Sequence, residues 1–577
     1  MSSTQVRRSA NSLLSALSAT EGEPSTYSAS ASSRSNSYSG GSDWESSVNS
    51  TLSPVGSHDS SSSTRDDFLG SEIRKALIPS ECLTYTRDES EDSRGDFKFL
   101  PADALERLIC PDNIRRELGP SSASPEVIAG ILQRRKKLFA IFTLMGRPQM
   151  ILRVIGEDEG IDDDCFPFWH THEYGLFYYP DSGQLSGGKP KKRVVRSLGP
   201  DGAEWTTFHA LTFLQWQVCV PRFNLDCPLD GYHASRIEPH RVFLPKVNLP
   251  FINERTFIDS LKPDHLDVKN DPFSQLPPSA SRHQVKKAYI HHAHRNPCEH
   301  QGQKRPCNAA PFAVKIIDGK ETALHEIKTL ARFEKPGTQY GHRLIRLLSS
   351  FEHAQRFYLI FPYADANLQQ FWENKYPNVT DLPRGHGLAK WMSAELLGLV
   401  RGLYLIHHPP PAPDDGTEEV LGRHADIKPE NILWFRKEPN PELEAVLVNE
   451  AEATRTDLPT GLLKICDFGI AEFHSDATVS MVNSHSVGGT HAYCAPEWRS
   501  PKPGETISQA YDSWSLGCVM LHYLTWYVEG YPGIKRFLAA LKSPISEVEN
   551  YKISMGTFFV RVQGEARINP AVEEATI

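Results

Sequence analysis

The stretch His424-Ala425-Asp426-Ile427-Lys428-Pro429-Glu430-Asn431-Ile432-Leu433 decides the reading of this chain. It sets a carboxylate, an ammonium two residues on and a carboxamide five residues on within ten positions, closed by an apolar pair. Asp467-Phe468-Gly469 follows 41 residues after Asp426. A carboxylate can accept a proton, an ammonium can offset negative charge, and a carboxamide and a second carboxylate are oxygen donors of the kind a hard metal ion takes.

Working outward, Pro311–Ile317 reads as a strand carrying Lys315. Glu326, Leu330 and Phe333 then share one face of a helix at spacings of four and three, so Glu326 is the expected partner of Lys315. Glu321, the rival, sits off that face. Phe357–Ala364 is a second apolar strand running into a proline, which removes a backbone donor. Gly488–Glu497 and Asp512–Gly517 complete an ordered series.

These segments, in this order, resemble the eukaryotic-type protein kinase superfamily, serine/threonine type. The resemblance covers about residues 280–570 and implies an α+β, bilobal fold with a small antiparallel-sheet lobe and a helical large lobe. It implies ATP and magnesium as cofactors. Asp426 and Lys428 would be catalytic, and Asn431 and Asp467 would hold the metal. Lys315 would grip the phosphates, with Glu326 fixing its ammonium in the nucleotide site, Phe361 as gatekeeper and Ala364 as hinge donor. Thr490 would face the catalytic aspartate, Glu497 would end the activation segment, and Asp512 would support the catalytic-loop backbone. The HADIKPENILWF wording and the His407–Gly422 insert look most like a filamentous-fungal kinase group with an uncharacterised region before the kinase domain.

Three departures stand out. Kinases place a glycine-rich loop before the lysine strand, yet no glycine occurs between Gly231 and Gly302, and Pro277–His283 occupies the loop's place. Ala425 stands where many kinases carry the arginine that pairs with activation-loop phosphate, so Ser484 or Ser486 cannot act by that route. The chain stops 80 residues past Glu497, and Arg567–Val572 reads as the start of a helix. A kinase domain over 280–577 that lacks its final helices is therefore expected. The excess between Asp426 and Asp467 falls in Arg436–Gly461, a polar surface insert.

Upstream, residues 1–70 hold 24 serines and few large apolar groups, which predicts a disordered tail. Order is expected from near Leu69. The region 90–250, of unknown function, reads as mixed α/β, with helices over Ala102–Leu108 and Pro125–Phe142, an apolar element at Gln149–Ile155, a basic glycine-rich loop at 183–193 and a core segment at Trp205–Val220. Cys298 and Cys307 lie among His291, His292, His294 and His300, but the spacing matches no closed zinc site and a flexible insert is the better reading. The net charge of −9 argues against nucleic acid as a partner. Scattered cysteines and short apolar runs predict an intracellular chain that does not cross a membrane. The composition names no protein substrate. A catalytically weak or inactive pseudokinase scaffold is the alternative to an active enzyme.

Overall fold

A computed structural model describes residues 68–81, 97–157, 160–171, 175–179, 193–195, 204–225, 238–252, 284–296, 298–300, 303–305, 311–334, 338, 340–379, 386–410, 420–436, 438, 461–475, 491–499, 508–542, 556–562 and 565–576. The first part of the chain is mainly helical: α1 (Phe68–Ala76), β1 (Ile78–Pro79), β2 (Lys98–Phe99), α2 (Ala102–Leu108), α3 (Pro111–Leu118), α4 (Pro125–Arg134), α5 (Lys136–Leu144) and α6 (Met150–Glu157). A three-stranded sheet of β3 (Trp169–Thr171), β4 (Gly175–Tyr178) and β5 (Arg193–Val194) follows, then α7 (Glu204–Val218).

The helix expected over Pro125–Phe142 is two helices. Arg135 leaves helical geometry at φ −137°, and its buried guanidinium donates to the Ile161 carbonyl at 2.8 Å. That bond crosses the helix break and so ties it to the following loop. The second helix, α5, is apolar on all sides, with every residue from Leu138 to Leu144 buried, so it is the centre of this part's core.

A six-stranded sheet comes next. In spatial order it is β6 (Arg241–Phe243), β12 (Ser349–His353), β13 (Arg356–Pro362), β11 (Phe312–Ile317), β8 (Gln284–Ile290) and β7 (Phe251–Ile252). All pairs are antiparallel except β6 with β12. The two edge strands thus come from residues 241–243 and 251–252, on either side of the start of the interval drawn from sequence between 250 and 280. The hairpin β9 (Cys298–His300) and β10 (Gln303–Arg305) lies between β8 and β11 in the chain.

Period-two alternation gives this sheet two buried faces. One carries Ala288, Ile290, Phe312, Val314, Ile316, Tyr358 and Ile360, and it is covered by Phe223, Leu225, Leu249 and Phe251. The other carries Lys315, Ile317, Phe357, Leu359 and Phe361 and faces α8 (Lys320–Arg332). The upstream segment therefore supplies the outer half of the sheet's core.

Beyond the sheet lie β14 (Ala366–Asn367), α9 (His386–His407), β15 (Val420–Arg423), β16 (Ile432–Phe435), β17 (Leu462–Ile465), β18 (Glu472–Ser475), α10 (Ala510–Lys542), β19 (Phe559–Val562), β20 (Glu565–Ile568) and α11 (Pro570–Thr576). β16 and β17 pair antiparallel and flank the predicted Arg436–Gly461 insert. Gly461 closes this hairpin at φ 103°, and a Cβ there would lie 2.2 Å from the Phe435 carbonyl oxygen, so only glycine fits. α10 bends at Gly530, ahead of Pro532. Arg567 is exposed on strand β20, and the terminal helix begins at Pro570, later than the Arg567–Val572 pattern suggested. Among the described residues, no helix is long and apolar enough to cross a membrane.

Candidate active site

β11 and α8 bring Lys315 and Glu326 together. Lys315 Nζ lies 2.8 Å from Glu326 Oε1 and 2.7 Å from Oε2, and donates also to Asp467 Oδ1 at 2.7 Å. Glu326 is buried on the α8 face that carries Ile327 and Leu330, whereas Glu321 is exposed. Burial pushes the Lys315 ammonium down, but the Glu326 and Asp467 carboxylates outweigh it and hold it above the ordinary lysine value. Burial likewise pushes the Glu326 carboxyl up, opposed by Lys315.

The ten-residue stretch leaves β15 and enters β16. Lys428 Nζ and Asn431 Nδ2 both donate to Asp426 Oδ2, at 2.7 and 2.9 Å, and Asn431 Nδ2 also reaches the Asp426 carbonyl at 2.9 Å. Asn431 thus spends its amide nitrogen on Asp426 and turns its oxygen the other way. Its backbone carbonyl accepts the Cys466 N–H at 2.9 Å, which ties the loop to the Asp467 turn. His424 makes a second tie. Its Nδ1 accepts the Asp426 N–H, so its Nε2 carries the proton and donates to the Cys466 carbonyl at 3.0 Å. Its ring meets Phe468 edge-on at 5.1 Å.

Ala425 and Asp467 have φ of 69° and 68°, in the left-handed region. For non-glycine residues this costs about 1–3 kcal/mol each and needs support from outside. Asp512 supplies it to the first, accepting the Ala425 N–H at Oδ1 (2.8 Å) and the His424 N–H at Oδ2 (2.7 Å). His407 Nε2 meets the same Oδ2 at 3.1 Å. Behind the loop, Arg343 and Glu395 form a fully buried pair at 2.6 Å, and Glu395 Oε2 also accepts the Leu463 N–H that starts β17.

Phe361 is buried on β13 opposite Ala313, and Pro362 ends the strand opposite Phe312. Ala364, half-buried, follows in the connection to β14. Val285 pairs with Lys315 across β8 and β11, which puts it on the cleft face, and it is 57% exposed there. Sequence reasoning passed over Val285, His424 as a bridge, and the Arg343–Glu395 pair. The 52-residue separation of that pair leaves no local signal. Glu497 sits half-buried in the turn Pro496–Arg499. Thr490, Ser484, Ser486 and the glycine-free 253–283 connection lie outside the described residues.

The histidines singled out upstream have other work. His294 is buried. It accepts the Ala102 N–H at Nε2 and donates from Nδ1 to the Pro221 carbonyl, which clips the 292–294 turn to the start of α2. His292 meets Asp103 at 3.3 Å beside His291, but His291 Nδ1 accepts the Ala293 N–H.

With this geometry in place, residues 307–528 match the family model described as the protein kinase domain. Over this part, the chain is similar to protein kinase domains. Within the chain, 204 residues are 24% identical to cyclin-dependent kinase-like 5 of Mus musculus, covering 35% of this chain and 16% of that protein. A stretch of 210 residues is 31% identical to homeodomain-interacting protein kinase 4 of Macaca fascicularis, covering 36% and 27%. A shorter one of 102 residues is 33% identical to a probable serine/threonine-protein kinase, PknB, of Bifidobacterium longum, covering 18% and 11%. The chain spans 27% or less of the length of these three relatives. The kinase domain match begins after β8, so the strands contributed by residues 241–252 and 284–290 lie outside it.

Proposed function

We propose that this chain is an ATP- and magnesium-dependent protein kinase that transfers the γ-phosphoryl group to serine or threonine hydroxyls of protein substrates. One observation carries the reading: Lys315 is already engaged by both Glu326 and Asp467 while Asp426 is engaged by Lys428 and Asn431. Two halves of a phosphoryl-transfer site, drawn from the sheet and from the loops, are thereby preassembled.

In the reaction, Asp426 orients the substrate hydroxyl and takes its proton as the new oxygen–phosphorus bond forms and the bond to the ADP oxygen breaks. Lys428, beside it, offsets the charge that develops on the transferring group. Lys315 holds the α- and β-phosphates, and Glu326 fixes its ammonium. The cleft end of the sheet, with Val285, Ala313 and Phe361, takes the adenine, and Ala364 offers the hinge donor that Pro362 lacks. The Asn431 oxygen and the Asp467 carboxylate are hard oxygen donors that fit magnesium, which prefers few protein ligands. Held there, magnesium would supply positive charge to offset that of the phosphates. The serine/threonine preference rests on Lys428 and on the similarity to a probable serine/threonine-protein kinase of Bifidobacterium longum. Incubation with γ-labelled ATP and a mixed peptide pool tests it: label is expected on phosphoserine and phosphothreonine, and label confined to phosphotyrosine overturns it.

A second reading, a weakly active or inactive scaffold, is favoured by the glycine-free connection ahead of β8. Backbone amides there cannot approach phosphates as glycine allows. It predicts little magnesium-dependent thermal shift with ATP.

A further inference from the structure

Ala425 is completely buried, in a cluster with Cys494, Ala495, Tyr511 and Phe559, with Trp514 packed against it. These residues come from the end of the activation segment, the start of α10 and the C-terminal hairpin. The catalytic loop therefore rests its left-handed turn on an apolar pocket at the site where related kinases place an arginine. The neighbouring Arg423 is buried and faces Glu472 at 2.5 Å. A basic receptor for a phosphate is replaced by packing.

The hairpin is well anchored for such a role. Phe558 immediately precedes the strand and Phe559 opens it, and the two rings belong to different buried clusters. Phe558 sits in the main core, with ring centroids 5.2 Å from His522, 5.6 Å from Phe537 and 6.1 Å from Tyr493. Phe559 meets Trp514 edge-on at 6.1 Å. Asn569 straps the strand: its N–H donates to the Phe558 carbonyl at 3.0 Å and its Nδ2 to the Thr557 carbonyl at 3.0 Å. The Thr557 hydroxyl donates to the Phe559 carbonyl at 2.6 Å.

We propose that Phe559 is a positioning residue for the catalytic loop, which it braces through Ala425 so that Asp426 is held for transfer without phosphorylation of the activation segment. The hairpin links the large core to the loop through two adjacent rings. Asp512 fixes the loop's N–H groups, and Phe559 belongs to the buried apolar cluster that holds the Ala425 methyl. Removing the ring lets the left-handed turn relax and shifts Asp426, one residue on. The nucleotide-gripping set of Lys315, Glu326 and Asp467 is not in that cluster.

This rests on the kinase reading above, so the test has two independent readouts on the full chain: steady-state transfer from ATP, and amide hydrogen exchange at residues 424–426. For Phe559→Ala the expectation is a fall in kcat of about a hundredfold, the scale of a misplaced catalytic group, with KM for ATP unchanged. Phe559→Leu keeps most of the volume and recovers most of the rate. Glu565→Ala, an exposed hairpin change, behaves as the unmodified chain, and phosphatase treatment leaves the rate unchanged. Exchange at the His424 and Ala425 amides speeds up in Phe559→Ala alone. A lower melting temperature with unchanged kcat, or activity abolished by phosphatase, overturns the proposal. If the unmodified chain transfers no phosphate, the kinase reading fails, and exchange alone decides: protection of His424 and Ala425 unaltered by Phe559→Ala overturns the brace.

Discussion

Lys315 Nζ stands 2.7 Å from Asp467 Oδ1, joining residues 152 positions apart in the chain. The same ammonium is held by both oxygens of Glu326. Sheet, helix and the Asp467 turn thus meet at one buried cation. Replacing Lys315 by methionine leaves two carboxylates facing each other without a counter-charge. Loss of one partner of a buried pair costs about 3–5 kcal/mol. Lys315→Met should show a lower melting temperature and no shift with ATP and magnesium. Glu326→Gln, which keeps a hydrogen-bond acceptor, should lose less stability in the same melt.

Gly398 lies on α9 against the buried Arg343 guanidinium, and an added Cβ would stand 2.0 Å from Arg343 Cζ. Helix propensity favours Gly398→Ala by about 1 kcal/mol. The clash is with a side chain pinned to Glu395 and cannot relax cheaply, so it wins. Chemical denaturation should show a net loss of about 2 kcal/mol or more. The double variant Arg343→Ala/Gly398→Ala should lose less than the sum of the singles, because the first removes the obstacle to the second.

A fragment beginning at residue 280 should fail to fold. It strips Phe223, Leu225, Leu249 and Phe251 from the outer face of the sheet. At about 1.5–3 kcal/mol for each buried side chain, the loss is roughly 6–12 kcal/mol, comparable with the whole stability of a domain. Expression of residues 280–577 should give insoluble protein, while the chain from residue 68 should give a soluble one with a cooperative melt. A monomeric, cooperatively folded 280–577 fragment would contradict this account of the sheet.

His294 makes the contact between the upstream helices and the sheet sensitive to acid. Burial pushes its imidazole down to about 4, against an ordinary 6.5. The unfolded chain then takes up a proton that the folded chain refuses. The stability tied to the neutral ring is complete above pH 6.5 and is lost as pH falls toward 4. The loss is of order 2–3 kcal/mol. Asp103 adds a later loss: its hydrogen bond to His292 leads the causes that hold it down to about 2, so its contribution fades below the ordinary carboxylate value. Melting temperature recorded from pH 7 to 4.5 should drop, and His294→Ala should start lower and follow a flatter curve.

The candidate site residues were legible because each sits in a short segment with charged or polar groups at fixed offsets. Asp426, Lys428 and Asn431 fall within six positions, and Glu326 is marked by the apolar stripe of its own helix. What escaped notice depends on distant partners. Phe223, Leu225 and Leu249 lie in segments too short for a periodic pattern, and only the finished sheet gives them a face to cover. Arg343 and Glu395 look like ordinary surface charges until α9 packs behind β17. The break at Arg135 was hidden because its side chain, not a proline or glycine, stops the helix by reaching for Ile161. The interval 250–280 followed a polar, proline-bearing stretch of sequence, yet strands at 241–243 and 251–252 belong to the same sheet as those after it. In each case a long-range contact overrode what local composition suggested.

The central claim is that Asp426 is the base of a working phosphoryl-transfer site despite the glycine-free connection before β8. Transfer from γ-labelled ATP to a serine/threonine peptide pool, with magnesium, measures it directly when the purified chain is run beside Asp426→Asn. The account predicts transfer by the unmodified chain, a fall of about a hundredfold or more in the variant, and the same ATP-induced melting shift in both. Equal label from the two proteins, or none above background from either, would contradict it.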